Sequence, residues 1–390
     1  MATPAFIPRY KKVADLVRKR ILHGDYALKP IPSERTLAGE MGVNYMTVRR
    51  GLQILENENL VVRQPNGRMR VKRARQGGKR HLSFAFLAPT FRSDNVEMWR
   101  QAIEKAAAKL ACRVRPILYM HWDDPILLDA LAGFDGVFLN PIPEPLPAQV
   151  AEKLRHPGHP LVVVDDDFSG YGIPSIQFFP PAFVRCLLDH LNSLGHTRIG
   201  CINAQPSNSE IQGRIGQWRH WMAARGFTGR LEDSPVPVRA HPGPHAYDVM
   251  TRILSEPVRE ETAWLCTTTP TAMGAMRAIL DKGLVPGRDI AVCATNGESL
   301  AALLNPSLTA LEPVDPTPFF SRCLKWMLGG RPWQGPLLVR PKDIPLVIRE
   351  STGPNPEKRR EVGASQLIGV RRGKSAGSAI PPVRMSEITL

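Results

Sequence analysis

The chain has 390 residues, is 43% hydrophobic and 22% charged, and carries a formal net charge of +15. That length exceeds one ordinary domain, and the composition is that of a globular protein. No apolar stretch is long enough for a bilayer, and the segment Met1 to Arg9 lacks the apolar core of a signal peptide. The six cysteines (Cys112, Cys186, Cys201, Cys266, Cys293, Cys323) are widely spaced without a CxxC pair, so a reducing cytoplasm is expected rather than a disulfide framework or a metal site.

The charge is uneven along the chain. Residues 1–80 hold 18 Lys/Arg against 6 Asp/Glu, residues 81–353 hold 26 against 27, and residues 354–390 hold 7 against 3. An excess confined to the first eighty residues suits contact with phosphates better than general solubility. The competing reading is a small helical domain with an exposed basic face. In chain order, the first predicted helix opens at Ser33, an N-cap after Pro32, and keeps Leu37 and Met41 on one face. Gly42 supplies a left-handed stop. Asn44 caps a second helix whose Val48, Leu52 and Leu55 share a face. Two short helices about a glycine turn are a helix-turn-helix, and the second would enter the major groove. Leu60-Val61-Val62 and Met69-Arg70-Val71 then flank Pro65-Asn66-Gly67, where Asn-Gly signals a tight hairpin, the wing of a winged helix.

Residues from about 8 to 73 resemble the GntR family of bacterial regulators, on Pro32-Ser33-Glu34-Arg35, Met41-Gly42-Val43 and Thr47-Val48-Arg49-Arg50-Gly51-Leu52. The resemblance implies DNA contacts from Arg35, from Asn44, Tyr45, Met46, Thr47, Arg49 and Arg50 at and after the start of the reading helix, and from Asn66 and Gly67 at the wing tip. Arginine can be bidentate to guanine or phosphate, and a glycine tip approaches a groove without a side chain. Tyr45 stands where many members carry arginine, and Met46 is bulky, so the target sequence does not carry over.

Arg70 to Arg80 reads as a basic linker around Gly77-Gly78, and residues 354–390 as a basic, polar, disordered tail. The expected division is a reading head at 1–73, a linker at 74–80, a body at 81–353 and the tail. In the body, apolar runs alternate with amphipathic segments. Strands are predicted at 82–88, 114–118, 135–139 and 160–165, with helices at 96–110, 126–131 and 148–154. The order restarts with helix 182–194, strand 198–203, helix 214–225, strand 263–267, helix 271–282 and strand 290–294. Short continuous apolar strands between helices mean parallel sheets covered on both faces, and two successive doubly wound units mean two lobes with a ligand site between them.

From about 80 to 353 the body is similar to the LacI-type effector domain and hence to periplasmic sugar-binding proteins. The similarity rests on His190 to Ile202, Thr271 to Ile279, Asp289-Ile290-Ala291-Val292, Leu303 to Thr309 and Pro345 to Thr352. A GntR head on such a body resembles the arabinose-repressor type of regulator. The resemblance implies an N-terminal winged helix-turn-helix (α+β) followed by an α/β two-lobed, periplasmic-binding-protein-like domain. It also implies a homodimer on double-stranded operator DNA, repression, and a small-molecule effector, a sugar or a sugar derivative, between the lobes. Counting from flanking motifs places Arg214 on the family's ligand-gripping arginine and Asn296 at a ligand-contacting acid. Phe179 and Thr269 then occupy positions that are usually carboxylates. Those losses lead us to expect an anionic or amide-bearing ligand rather than a neutral polyol; a body that only dimerises, without a ligand, is the alternative. Asp165-Asp166-Asp167 follows a strand and reads as a pocket-rim acid cluster more readily than as a cation site. An enzyme is not expected. A Schiff-base lysine would need a strand-end loop, whereas Lys282 and Lys325 fall in helix-like runs and Lys342 lies in the proline-flanked run Arg340-Pro341-Lys342, and no nucleophile elbow or Walker loop occurs. Neither a cofactor nor a membrane partner is expected.

Overall fold

The computed structural model describes residues 7–353 apart from 66, 73–81, 92 and 298–299. The linker expected at 74–80, the tail expected at 354–390 and Asn66 of the expected wing tip therefore lie outside the described residues.

The head is three helices and a hairpin: α1 (Arg9–Leu22), α2 (Glu34–Met41), α3 (Tyr45–Asn57), β1 (Val61–Arg63) and β2 (Met69–Val71). Helix α1 is missing from the sequence reading because its lysines and arginines crowd out the apolar signal, although Val13, Ala14 and Val17 are buried. Ser33 Oγ accepts from Thr36 N at 3.2 Å and starts α2, and Gly42 ends it at φ +59°. Asn44 Oδ1 accepts from Met46 N at 2.8 Å and starts α3. The inner face of the head, Val17, Leu37, Val48, Leu52 and Leu55, is fully buried. The hairpin pairs Val61 with Val71 through Arg63 with Met69. Gln64 N also bonds Arg68 O, and Gly67, at φ +78°, bonds back to Gln64 O. The turn is thus longer than the tight Asn-Gly turn expected.

Beyond the head come β3 (Ser83–Pro89), α4 (Asp94–Ala108), β4 (Arg113–Tyr119), α5 (Pro125–Gly133), β5 (Gly136–Leu139), α6 (Ala148–Arg155), β6 (Leu161–Val164) and β7 (Ser175–Ile176). They are followed by α7 (Val184–Ser193), β8 (Ile199–Asn203), α8 (Ser209–Ala224), β9 (Leu231–Asp233), α9 (Pro242–Leu254), β10 (Ala263–Cys266), α10 (Thr269–Asp281), β11 (Ala291–Ala294) and β12 (Thr309–Leu311). The described body closes with α11 (Thr317–Gly329), β13 (Leu338–Val339) and β14 (Leu346–Val347). Two six-stranded sheets result, ordered β13-β7-β6-β5-β3-β4 and β14-β12-β11-β10-β8-β9. The first is parallel throughout, and the second is parallel except for β14. Every residue of β5, β6, β8, β10 and β11 is buried, as sheets covered by helices on both faces require.

The two lobes are not simply consecutive. After β12 in the second lobe the chain returns to the first, where α11 packs on α4 and β13 joins the sheet edge, and then goes back to add β14. The lobes are thus joined by three strands of chain. Helix α8 starts five residues before its predicted start because Asn208 Oδ1 accepts from Ile211 N at 2.9 Å. That extra turn carries Glu210 into the space between the lobes.

Candidate functional site: a basic reading face and an inter-lobe cleft

Helix α3 has two faces. Its apolar side is sealed in the head, and its other side presents Tyr45 (38% exposed) and Met46 (61% exposed) with exposed Arg49 and Arg50. Arg35 is exposed on α2, and Gly67 is exposed at the hairpin turn. Thr47 is half-buried beside them. Asn44 differs in its employment, since its side-chain oxygen is committed to the helix cap.

The wing is tied to the helices by one guanidinium. Arg63 bonds Glu34 Oε1 at 2.7 Å and Gly67 O at 3.2 Å. Burial would raise the Glu34 carboxyl, but hydrogen bonds from Arg63 and Tyr45, with the charges of Arg63 and Arg49, bring it below its usual value. Tyr45 is therefore partly an internal support for the wing anchor, a role invisible in the sequence.

Between the lobes lies a cavity of about 450 Å³. The first lobe contributes Trp99, Asn140, Asp165 and Asp166; the second contributes Gln205, Glu210, Arg214, Thr268 and Asn296. Arg214 comes from α8 and is buried. Its Nη1 donates to Thr267 O at 2.8 Å, while its Nε makes no hydrogen bond within the protein. Asn140 Nδ2 donates to Val164 O at 3.0 Å, which fixes the amide and leaves Oδ1 unpaired. Trp99 stacks on Phe178 with centroids 5.8 Å apart, and its indole N–H is also unpaired. Three buried polar atoms of cavity-lining residues, two from the first lobe and one from the second, lack partners: two donors and one acceptor. Burying such groups unsatisfied costs free energy that a bound molecule could recover.

Carboxyl groups surround the arginine. Asp165, at φ +62°, accepts from Phe178 N, and Ser209 Oγ donates to Asp166 Oδ1 at 2.7 Å across the lobes. Asp167 turns away and accepts from Ser169, so the three consecutive aspartates do not converge. Glu210 accepts from Gln177, whose Oε1 takes Arg340 Nε at 2.5 Å. Removal from water is the main cause that pushes Glu210 up to about 7, opposed by Arg214. Desolvation likewise raises Asp165, with the Glu210 charge adding to it and Arg214 opposing. Asp166 is raised by desolvation as well.

Of the four cleft residues expected from the sequence, Arg214 and Asn296 line the cavity, whereas Phe179 and Thr269 do not. Phe179 is buried in the hydrophobic core that spans both lobes. Thr269 is consumed at the start of α10: its N donates to Asn296 Oδ1 at 3.1 Å and its hydroxyl donates to Asn296 O. The expected anionic or amide-bearing ligand would face carboxyl groups as well as the arginine. Asp165, Asp166 and Glu210 provide carboxyl groups from other segments, so an anion would meet them as well as Arg214. The sequence reading reached Asp165 and Asp166 only as a rim cluster, and it missed Glu210, Trp99 and Asn140. Glu210 could have been found from the capping Asn208 that extends α8.

Residues 9–71 match the family model described as bacterial regulatory proteins, gntR family, and residues 188–352 match a periplasmic binding protein-like domain. The chain joins a gntR-type head to a periplasmic-binding-protein-like body. The HTH-type transcriptional regulator AglR of Rhizobium meliloti is 32% identical over 195 residues, 46% of this chain and 50% of that protein. The regulator MalR of Streptomyces coelicolor is 29% identical over 216 residues, 53% of this chain and 60% of that protein. The matches thus span about half of each curated relative. Among solved structures, the Lac repressor dimer bound to operator and an anti-inducer overlays with a TM-score of 0.58 at 22% identity, covering 71% of this chain and 96% of that one. A LacI family transcriptional regulator from Bifidobacterium animalis gives 0.60 at 18% identity, covering 70% and 98%. At these identities the two structures establish the two-lobed fold of the body.

Proposed function

We propose that the protein is a sequence-specific, DNA-binding transcriptional regulator whose gntR-type head reads an operator and whose body answers to a small molecule held between the lobes. The observation that carries this is one chain combining an exposed basic reading helix with a cleft whose wall leaves Trp99, Asn140 and Arg214 with unpaired buried atoms. The proposed DNA contacts are Arg35, Tyr45, Met46, Thr47, Arg49, Arg50, Asn66 and Gly67, with Asn44 as the cap that orients the reading helix. Arg214 and Asn296 are the proposed effector residues, joined by Trp99, Asn140, Asp165 and Glu210. Phe179 and Thr269 act behind the wall.

The effector we favour is a hydroxyl-rich sugar or sugar derivative, because each hydroxyl both donates and accepts and can satisfy carboxyl, amide and guanidinium groups together. The protein acts as a repressor and a homodimer on a two-fold operator in the cytoplasm, since one small head binds too weakly for specificity. It is not an enzyme. Among the described residues no helix is long and apolar enough to cross a membrane.

The test is to select bound fragments from genomic DNA and titrate the full chain against them, with and without a panel of pentoses, hexoses, disaccharides and sugar acids. Operator release by a sugar that Arg214→Ala no longer senses is expected, together with loss of specific binding in Arg49→Ala, roughly 1–3 kcal/mol for a lost base or phosphate contact. Arg49→Ala with parental operator affinity would remove the assigned reading helix.

A further inference from the structure

The outer face of the head contains a recess of about 500 Å³ whose lining includes Arg9, Tyr10, Arg49 and Arg50, with no carboxylate among its lining residues. Its position follows from one residue. Gly51 on α3 has no side chain where a Cβ would lie 2.9 Å from both Tyr10 O and Val13 Cγ1, so α1 crosses α3 almost at backbone contact. The first turn of α1 is thereby set beside the first two turns of the reading helix.

Three other arginines of the head are held by acids. Arg18 bonds Asp15 and Glu58, Arg20 bonds Glu40, and Arg63 bonds Glu34. Arg50 is held differently: its guanidinium carbon lies 4.2 Å from the centroid of the Tyr10 ring. A carboxylate partner would neutralise the guanidinium and occupy its donors. An aromatic face orients the group through its quadrupole while leaving the full positive charge and the N–H edge available. Among the described residues, Arg9, Arg49 and Arg50 form no ion pair with a carboxylate.

We propose that Tyr10 is a positioning residue that presents Arg50 to a DNA backbone phosphate, with Arg9 as a second cation on the same recess. The phosphate is thus gripped from two helices, one of them outside the helix-turn-helix. This inference rests on the DNA-binding reading. Such a contact adds affinity for any duplex and carries no sequence information.

The experiment measures binding of the full chain to its selected operator and to an unrelated duplex across a salt series, for the parental protein, Tyr10→Phe, Tyr10→Leu, Arg50→Ala and Tyr10→Leu/Arg50→Ala. Tyr10→Leu is expected to weaken both duplexes roughly two- to tenfold and to lower the salt slope by about one. Tyr10→Phe keeps the ring and stays within about twofold of the parent. In the Arg50→Ala background, Tyr10→Leu has no further effect. Thermal melts identify any variant that loses the fold, and the Phe variant then carries the comparison. A Tyr10→Leu protein that is folded and has the parental slope overturns the proposal, as does a Phe variant as weak as the Leu variant, because the hydroxyl or simple packing would then be responsible. A parental chain that binds no duplex overturns the regulator reading itself.

Discussion

Glu210 shows how burial creates chemistry that composition does not. Its carboxyl is pushed up to about 7 by removal from water, and Arg214 opposes that rise. Its proton is therefore bound more tightly in the folded chain than in the unfolded one, whose carboxyl titrates near the ordinary 4.5. The folded state gains stability below the unfolded value, and that gain is lost as pH rises from about 4.5 through about 7. Glu210→Gln imitates the protonated form and keeps a partner for Gln177. Melting midpoints should differ little between variant and parent at pH 5, whereas at pH 8 the variant should be more stable by up to about 3 kcal/mol, the equivalent of the shift. An equal difference at both pH values would mean that Glu210 is ionised in both. The same residue bears on ligand binding, since a protonated Glu210 can donate to a ligand oxygen and an ionised one can only accept. Tyr45 makes a similar point: its hydroxyl supports Glu34, so the side chain in the family's arginine position serves the wing anchor as well as the reading face.

At the scale of elements, the helix pair α1 and α3 governs the head. The sequence made α2 and α3 legible because Ser33, Gly42 and Asn44 are residues whose capping chemistry is local, and the structure uses all three as caps. Helix α1 was not legible, because five of its fourteen residues are Lys or Arg beyond Arg9, and its buried stripe matters only once α3 covers it. Gly51 could not be interpreted from sequence at all, since its meaning is the 2.9 Å that a Cβ would leave to Tyr10 O. Gly51→Ala removes a helix-destabilising residue, a gain of about 1 kcal/mol in an open helix. Here the clash with backbone should outweigh it, with a net loss of roughly 1–3 kcal/mol as expected for overpacking. Chemical denaturation of the full chain, followed by a probe in the head, would show a lower midpoint for that transition. A rise in midpoint would mean that α1 can withdraw without loss.

Across the whole molecule, the head also touches the first lobe through the loop after α1. Arg115 Nη1 bonds Asp25 Oδ1 at 2.6 Å and His23 O at 3.3 Å, while Arg113 meets the His23 ring. Ala27 and Leu28 pack against the cluster that contains Leu131 and Phe134, and Gly133 leaves room where a Cβ would lie 2.7 Å from Ala27 O. The ion pair is more than a third exposed on both sides, so it contributes little by itself. The apolar contact is the larger part. Leu28→Asp should therefore undock the head without disturbing the head's own core, to which Leu28 does not belong. Small-angle X-ray scattering would register an increased maximum dimension, and a profile identical to the parent's would show that this contact does not hold the head. Docking of this kind would give lobe movement a direct route to the reading helix, alongside the covalent connection.

The sequence by itself determined the helix-turn-helix of the head, the doubly wound character of both lobes and the arginine on α8. Each rests on local rules: caps at Ser33 and Asn44, continuous apolar strands such as 161–164, and a family pattern around residue 214. Tertiary structure alone decided the return of α11 and β13 to the first lobe, because edge pairing joins segments that are distant along the chain and too short to declare a partner. It also decided which residues face the cleft. Counting from flanking motifs puts Phe179 and Thr269 in the wall, yet one is core and the other is locked to Asn296, while Trp99, Asn140, Asp165 and Glu210 arrive from four separate places along the chain. A cleft is a property of surfaces brought together from two lobes that share a core, and position along the chain does not encode which side of a strand end or helix turn will border it.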